Sequence, residues 1–260
     1  MSARLDADAI RAALAPALRA QLARIELADA TVSTQADALA AGAPAQGCAL
    51  FLAEHQTGGV GRHGRRWHSP PAGASLAFSL ARRFACPLAA LSGLSLVAGI
   101  AVAEALALDA VRLKWPNDLV AGGRKLGGIL VNVRSTGAGG CEAVLGIGLN
   151  LHLPADTDID QPWTDLARLG AEPASRNELL ARLLGALLPA LAQFEAAGLA
   201  PFQARWQRLD ALAGQPVQVL DGGRMHAGES AGIGPDGALR LRDAVGMREF
   251  ASGEVSLRPA

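Results

Sequence analysis

The sequence predicts an α+β fold, a sheet of largely antiparallel strands flanked by helices, followed by a small all-β unit. Three observations carry this. The runs Val111–Trp115, Leu126–Arg134 and Cys141–Leu153 are separated by AGGR and STGAGG, short glycine-containing turns that pair neighbouring strands antiparallel. Apolar helical patterns occupy Leu88–Ala110, Asn177–Ala197 and Pro201–Leu212. From Gly214 onward the chain changes character, with PVQVL, RMHAGESAGI, ALRLRD and MREFASGEVSLR alternating with DGG, GPDG and DAVG turns.

Taken in order, residues 1 to 28 read as an alanine-rich amphipathic helix interrupted near Pro16, followed by a strand around Ile25–Val32. Ser33, Thr34 and Gln35 open a short helix through Ala41, with Ser33 or Thr34 as N-cap. Cys48–His55 is a buried strand leading into QTGGVGRHGRRWHSPPAGA, whose glycines and prolines forbid helix or regular strand. Ser75–Phe84 returns as a strand. The run from Leu88 is long enough for a membrane span, but it is rich in Gly, Ala and Ser and contains Glu104, so it reads as a helix buried against the sheet. The terminal unit is about the size of an SH3-like barrel, giving domains of 1–213 and 214–260.

Half of the 260 residues are apolar, which supports a sizeable core. Equal numbers of acidic and basic residues remove any whole-protein attraction to nucleic acid or anionic membrane. Cys48, Cys86 and Cys141 are widely spaced without CxxC, and the five histidines lack metal-ligand spacing, so reduced thiols, a cytoplasmic protein and no metal site are expected. The N-terminus carries Asp6 and Asp8 and has no unbroken apolar segment, unlike a signal peptide.

Only two lysines occur, Lys114 and Lys125, against 22 arginines, and both fall in RLKWPNDLVAGGRKLGGILVN. An ammonium is a compact charge on a flexible stem that enters a tight reacting centre where a planar guanidinium does not. Codon bias against lysine, with the two survivors close together by chance, is the alternative explanation, and the surrounding motif weighs against it. Gly59-Val60-Gly61-Arg62-His63-Gly64 matches G-x-G-x-x-G, yet no helix can start there and no carboxylate follows between Ser79 and Ala85, so a dinucleotide fold is rejected. A loop closing on phosphate fits better: glycines admit close backbone approach, Arg62, Arg65 and Arg66 fork onto oxygens, and Trp67 offers a face or an anchor. A solvated basic loop and a nucleic-acid patch are the alternatives.

VSTQ at 32–35, AEHQTGGVGRHGRRWHSP at 53–70, KWPNDLVAGGRKLGGILV at 114–131, GIGLN at 146–150 and GLAPFQARWQRLD before the β unit together resemble the biotin–protein ligases, from about Val32 to Arg258. KWPND followed by RKLGGIL is the specific part. The resemblance implies a catalytic domain related to class II aminoacyl-tRNA synthetases, with a mixed, largely antiparallel sheet, and a C-terminal SH3-like domain. It implies biotin and MgATP as substrates, biotinyl-5′-AMP as intermediate, and a lysine of a biotin carboxyl carrier protein as acceptor. About 30 residues precede the motifs, too few for the family's winged helix-turn-helix, so a ligase without DNA-binding function is expected, with no membrane partner. The sheet edges are compatible with a homodimer. The family's loop usually reads GRGRRGR; here Val60 and His63 depart from it, so a backbone contact at Val60 is retained and a side-chain role is not.

By this resemblance Lys125 bridges the biotin carboxylate and the α-phosphate, Arg62 and Arg65 hold phosphates, and Arg62 retains the adenylate. Biotin lies against Ser33, Thr34, Gln35 and Gln56, with Gly59, Val60, Gly61, Arg62, Gly127, Gly128, Leu130 and Gly146 also lining its site. A Gly127-Gly128 turn lets the sheet edge approach the ligand. Arg65, Trp67, Asn117 and Asn150 serve the nucleotide, and Lys114 and Asp118 the pocket mouth. Asp118 either receives a proton from the incoming lysine or makes a salt bridge to Lys114 or a turn cap. Trp115 and Pro116 are expected to pack and shape a turn, and Trp206 to pack between domains. Lipoyl–protein ligase, a non-catalytic binding module and an RNA-binding protein are the competing readings.

Overall fold

The computed structural model describes residues 4–70, 73–137, 139–171, 173, 175–251 and 257–259. Pro71 and Ala72 of the glycine-arginine segment, and 252–256 of the last predicted strand, lie outside the described residues.

A seven-stranded sheet runs in the order β1-β2-β3-β7-β6-β5-β4. Its strands are β1 (Leu22–Thr31), β2 (Cys48–Gln56), β3 (Ser75–Phe84), β4 (Val111–Lys114), β5 (Asp118–Ala121), β6 (Arg124–Gly137) and β7 (Gly140–Asn150). Among the described strands of this sheet β1 and β2 pair in parallel, and the other neighbours pair antiparallel. Helix α3 (Thr34–Ala41) covers part of one face, while α1 (Ala7–Ala13), α4 (Leu94–Leu106) and α5 (Arg176–Ala197) stack on the other. The period-two rule assigns the faces. Leu50, Leu52, Phe78, Leu80, Leu145 and Ile147 join the large core, while Ala49, Phe51, Ala81 and Val144 meet Ala38 of α3. Leu88–Leu106 and Arg176–Ala197 are long and apolar enough to cross a bilayer, but α4 and α5 pack on each other and are largely buried.

The chain departs from sequence expectation at several points. The first helix ends early: α1 and α2 (Pro16–Arg19) are separate, and β1 already begins at Leu22. Alanine favours helix, but β1 gains a full parallel ladder on β2. Leu88–Ala110 divides into a 3-10 turn at Leu88–Leu91 and α4, because Gly93 sits at φ 84 between them. Asp118–Ala121, outside the three predicted strand runs, is β5: Pro116 turns the chain after β4, and the AGGR turn joins β5 to β6 with Gly122 and Gly123 at φ 56 and 72. Of Pro201–Leu212, only α6 (Gln203–Leu209) is α-helical.

The C-terminal unit is a five-stranded antiparallel sheet, order β11-β10-β9-β8-β12, from β8 (Pro216–Asp221), β9 (Arg224–Ile233), β10 (Leu239–Arg242), β11 (Met247–Phe250) and β12 (Leu257–Pro259). Its inward residues Val217, Val219, Leu239 and Leu241 join the main core. Trp206 lies in the same core. Trp115 donates its indole N–H to Gly237 O at 2.9 Å, and Ser92 Oγ to Asp236 O at 2.6 Å. A Cβ on Gly237 would lie 3.1 Å from Gly93 Cα, so two glycines let the units approach closely. All three cysteines are free, and burial pushes the Cys48 thiol up to about 11, far from the reactive thiolate.

A buried ion pair ties the N-terminal segment to the sheet and α5. Glu54 accepts from Arg176 Nη2 at 2.6 Å and from Leu5 N at 2.6 Å, with the two charged side chains 7% and 2% exposed. Truncating Glu54 takes a buried carboxylate from Arg176 and the acceptor from Leu5 N, at a cost of about 3–5 kcal/mol. Glu54→Ala is expected to lower unfolding stability by about that amount, read as a shift in urea midpoint at unchanged slope; a shift indistinguishable from a surface substitution would show the pair to be dispensable.

Candidate active site

The central strands are bulky on one face and small on the other. On the face shared with α3, β3 presents Ala77 and Ser79 and β7 presents Gly146 and Gly148, opening a cavity of about 810 Å³. Two of these glycines are sterically required. A Cβ on Gly146 would lie 2.5 Å from Gln35 Oε1, and one on Gly148 2.4 Å from Trp67 Cζ2. Each is thus occupied by a neighbour's side chain that a larger residue would expel.

One wall is a buried polar seam. Ser33 caps α3, its Oγ accepting from Ala36 N at 3.4 Å. Thr34 donates to Gln56 Oε1 through its N–H at 2.8 Å and its hydroxyl at 3.1 Å. Gln35 Nε2 donates to Val144 O at 3.0 Å and Asn132 Oδ1 at 2.9 Å. Leu130 and Ile129 add apolar lining, so this end offers hydrogen bonds beside a greasy surface.

The opposite end is cationic. Lys114, Lys125, Arg62, Arg65 and Arg66 all line the cavity. Lys125 Nζ lies 2.8 Å from Asp118 Oδ1, with both side chains about one-fifth exposed. A bulge at Leu126 breaks strand alternation, so the Lys125 side chain lies over Gly128, where a Cβ would meet Lys125 Cε at 3.4 Å. Asp118 therefore pairs with Lys125, rather than with Lys114 as the sequence alternative had it. Burial lowers the Arg62 pKa from the usual arginine value, with Asp118 opposing that shift and Arg65 adding to it. The guanidinium stays charged regardless.

Lys125 is held through its backbone. Its N–H donates to Pro162 O at 2.9 Å, and its carbonyl accepts from Thr164 N at 2.9 Å and Asn150 Nδ2 at 3.3 Å. Asn150 Nδ2 also donates to Thr164 O at 2.9 Å, so both its protons are committed to the chain and only its oxygen remains for a ligand. Asn117 Nδ2 donates to Ile129 O at 2.8 Å, and its own carbonyl accepts from Ile129 N at 2.9 Å, fastening the start of β5 to β6.

The glycine-arginine loop is a miniature hairpin over the cavity. Trp67 N donates to Gly59 O at 2.8 Å and Gly61 N to Arg65 O at 2.7 Å, with a bridge between Val60 and Arg66 and a 3-10 turn at Arg62–Gly64. His63 adopts φ 57, so the departure from the family pattern sits in a left-handed turn position. Val60 is 45% exposed.

Of the residues singled out in the sequence, Ser33, Thr34, Gln35, Gln56, Val60, Gly61, Arg62, Arg65, Trp67, Lys114, Asn117, Asp118, Lys125, Gly128, Leu130, Gly146 and Asn150 line this one cavity. Gly59 and Gly127 do not. Gly59 closes the loop hairpin through its carbonyl. Gly127 lies inside the sheet between Leu119 and Leu149, where a Cβ would stand 2.5 Å from Gly148 O; Gly127-Gly128 is strand and not the expected turn. Sequence reasoning missed Ser79, Gly148 and the segment Asp158–Gln161 with Trp163. Small residues inside apolar strands were the available signal for the first two. Trp115 also reaches the wall, while Arg168 stacks over Trp163 at 4.1 Å.

Two family models match, "Biotin/lipoate A/B protein ligase family" over residues 37–150 and "Biotin protein ligase C terminal domain" over residues 213–258. A biotin–[acetyl-CoA-carboxylase] ligase of Mycobacterium tuberculosis is 38% identical over 84% of this chain and 83% of its own. The chain belongs to the biotin protein ligase family. The bifunctional ligase/repressor BirA of Escherichia coli is 41% identical over 80% of this chain, a match spanning 66% of that protein. The biotin protein ligase of Aquifex aeolicus, solved with biotin and ATP, superposes with a TM-score of 0.76 at 27% identity, covering 92% of this chain and 99% of that one.

Within this ligase fold, the Gly148–Trp67 contact fastens the loop to the sheet. Gly148→Ala places a methyl 2.4–2.9 Å from three indole atoms and must lift Trp67. The expected outcome is faster tryptic cleavage after Arg62, Arg65 and Arg66 with the remaining core resistant; cleavage at the parental rate would show that the loop is held elsewhere.

Proposed function

We propose that the protein is an ATP-dependent biotin–protein ligase. It joins biotin to ATP as biotinyl-5′-AMP and then transfers biotin to a lysine of a biotin carboxyl carrier protein of acetyl-CoA carboxylase or a similar carboxylase. The observation that carries this reading is the convergence of Lys125 and Arg62 on Asp118 in one cavity, opposite a polar seam suited to a small neutral ring.

In the first step the biotin carboxylate attacks the α-phosphorus and pyrophosphate leaves. Two anions must be held together, so positioning and charge neutralisation do the catalytic work. Lys125 bridges the carboxylate and α-phosphate, Arg62 and Arg65 hold phosphate oxygens, and Arg62 retains the adenylate. Asp118 keeps the Lys125 ammonium in place until substrates arrive. Biotin occupies the seam of Ser33, Thr34, Gln35 and Gln56, and Trp67 and Asn117 serve the nucleotide. Magnesium arrives as MgATP; no three His, Cys, Asp or Glu side chains cluster as ligands among the described residues.

In the second step the acceptor amine attacks the acyl carbon, AMP leaves and the amine sheds its proton. In this reading Asp118 takes it once Lys125 has turned to the anions. The C-terminal unit, 214–260, is read as an SH3-like domain on a catalytic domain of 1–213 related to class II synthetases. Its five short antiparallel strands and the C-terminal family match support that. The protein acts in the cytoplasm. Among the described residues, the outer edge of β1 and the edge of β6 beyond Ile129 suit a homodimer.

Pyrophosphate exchange with biotin, and none with lipoate, is the expected result; exchange with lipoate would favour the lipoyl reading. Lys125→Ala should slow biotin-dependent exchange by about a hundredfold, on the order of 3 kcal/mol in the transition state, and a loss under fivefold would remove Lys125 from the reacting centre. With preformed adenylate, Asp118→Asn is expected to slow transfer to the carrier protein, and normal transfer would exclude the proton-acceptor role.

A further inference from the structure

Ser79 lies in the middle of β3, fully buried, paired in register with Phe51 of β2 and Gly146 of β7. A hydroxyl there is out of keeping with its apolar strand neighbours Phe78 and Leu80. Its Oγ stands 2.9 Å from Thr34 Oγ1 and 3.0 Å from Gln35 Oε1, joining the two halves of the polar seam.

The protons along the seam have a defined direction. Gln35 Nε2 spends its two protons on Val144 O and Asn132 Oδ1, so Gln35 Oε1 faces Ser79 and accepts. Ser79 has one proton, and Gln35 takes it. The contact with Thr34 then uses a Ser79 lone pair, supplied by the Thr34 hydroxyl. That proton is shared with Gln56 Oε1, which already holds the Thr34 backbone N–H. Both hydroxyl protons are thereby committed within the wall. What Thr34 and Ser79 have left is lone pairs, so this part of the wall receives ligand N–H groups and offers no hydroxyl proton to a ligand carbonyl.

We infer that Ser79 is a positioning residue that fixes the polarity of this wall, making it selective for ligands that bring N–H donors. The inference rests on the biotin ligase reading, under which the donors are the ureido N–H groups of biotin. A dithiolane ring has no N–H and leaves the same buried acceptors unpaired.

The test is calorimetric binding of biotin, and of biotin methylated on its ureido nitrogens, to the parent and to Ser79→Ala, together with exchange kinetics. The expected result is about tenfold weaker biotin binding, a matching rise in biotin KM, and kcat and ATP KM within about twofold. The preference for biotin over the methylated analogue should shrink by a similar factor, which mere loosening of the fold would not produce. Unchanged biotin binding, an unchanged preference, or an equal loss in kcat and both KM values would overturn the inference. If the parent binds no biotin at all, the ligase reading fails with it, a distinct outcome. Should Ser79→Ala not fold, Ser79→Cys, a weak donor of similar volume, carries the same comparison.

Discussion

A sheet can bear a deep cavity on one face only if the strands beneath it carry almost no side-chain volume there, and that constraint organises this molecule. Ala77, Ser79, Gly146 and Gly148 supply it on the two central strands, while the alternate positions, Phe78, Leu80, Leu145, Ile147 and Leu149, fill the opposite face with core. The small residues are tolerated because β3 and β7 are paired over ten consecutive positions and flanked on both sides. The space is then used twice: Gln35 and Trp67 occupy the places where Cβ atoms would be, and the remainder is left for ligand.

The second element is a concentration of positive charge that must not collapse the resting site. Five cationic side chains border the cavity. Asp118 is ion-paired to Lys125 and electrostatically coupled to Arg62, so it holds both near where two anions are to meet. Fixing Lys125 through backbone bonds to Pro162, Thr164 and Asn150 leaves only its side chain to move. Pre-set cations of this kind need little reorganisation when charge shifts during reaction.

The strand Ser75–Phe84, the strand Cys48–His55 that extends by one residue to Gln56, and a cap at Ser33 or Thr34, which is Ser33, were legible in the sequence, because alternation and capping are local properties. So was the set of polar and cationic residues on the cavity wall, through the motifs that carry them. What escaped depends on tertiary pairing. β5 is four residues long and becomes a strand only by lying between β4 and β6. Gly127 and Gly128 are adjacent and read alike, yet the bulge at Leu126 sends one into the sheet and sets the other beneath Lys125. Ser79 passed unnoticed because a single serine in an apolar strand carries no spacing signal; its significance appears only when Thr34 and Gln35 close on it from another element.

The C-terminal unit is not a loosely tethered appendage. Val217, Val219, Leu239 and Leu241 belong to the same apolar cluster as α4 and α5, and Leu220 reaches the cavity wall. Trp115 makes the coupling specific: it follows β4 directly after Lys114, lines the cavity, and hydrogen-bonds Gly237 across the junction. A displacement of the β9–β10 turn would therefore pull on Trp115, next to Lys114. The break at Gly93, which delays the α-helix to Leu94, is what admits Gly237 to that contact. The start of α4 at Leu94 and the seating of the β9–β10 turn thus meet at one close approach between two glycines.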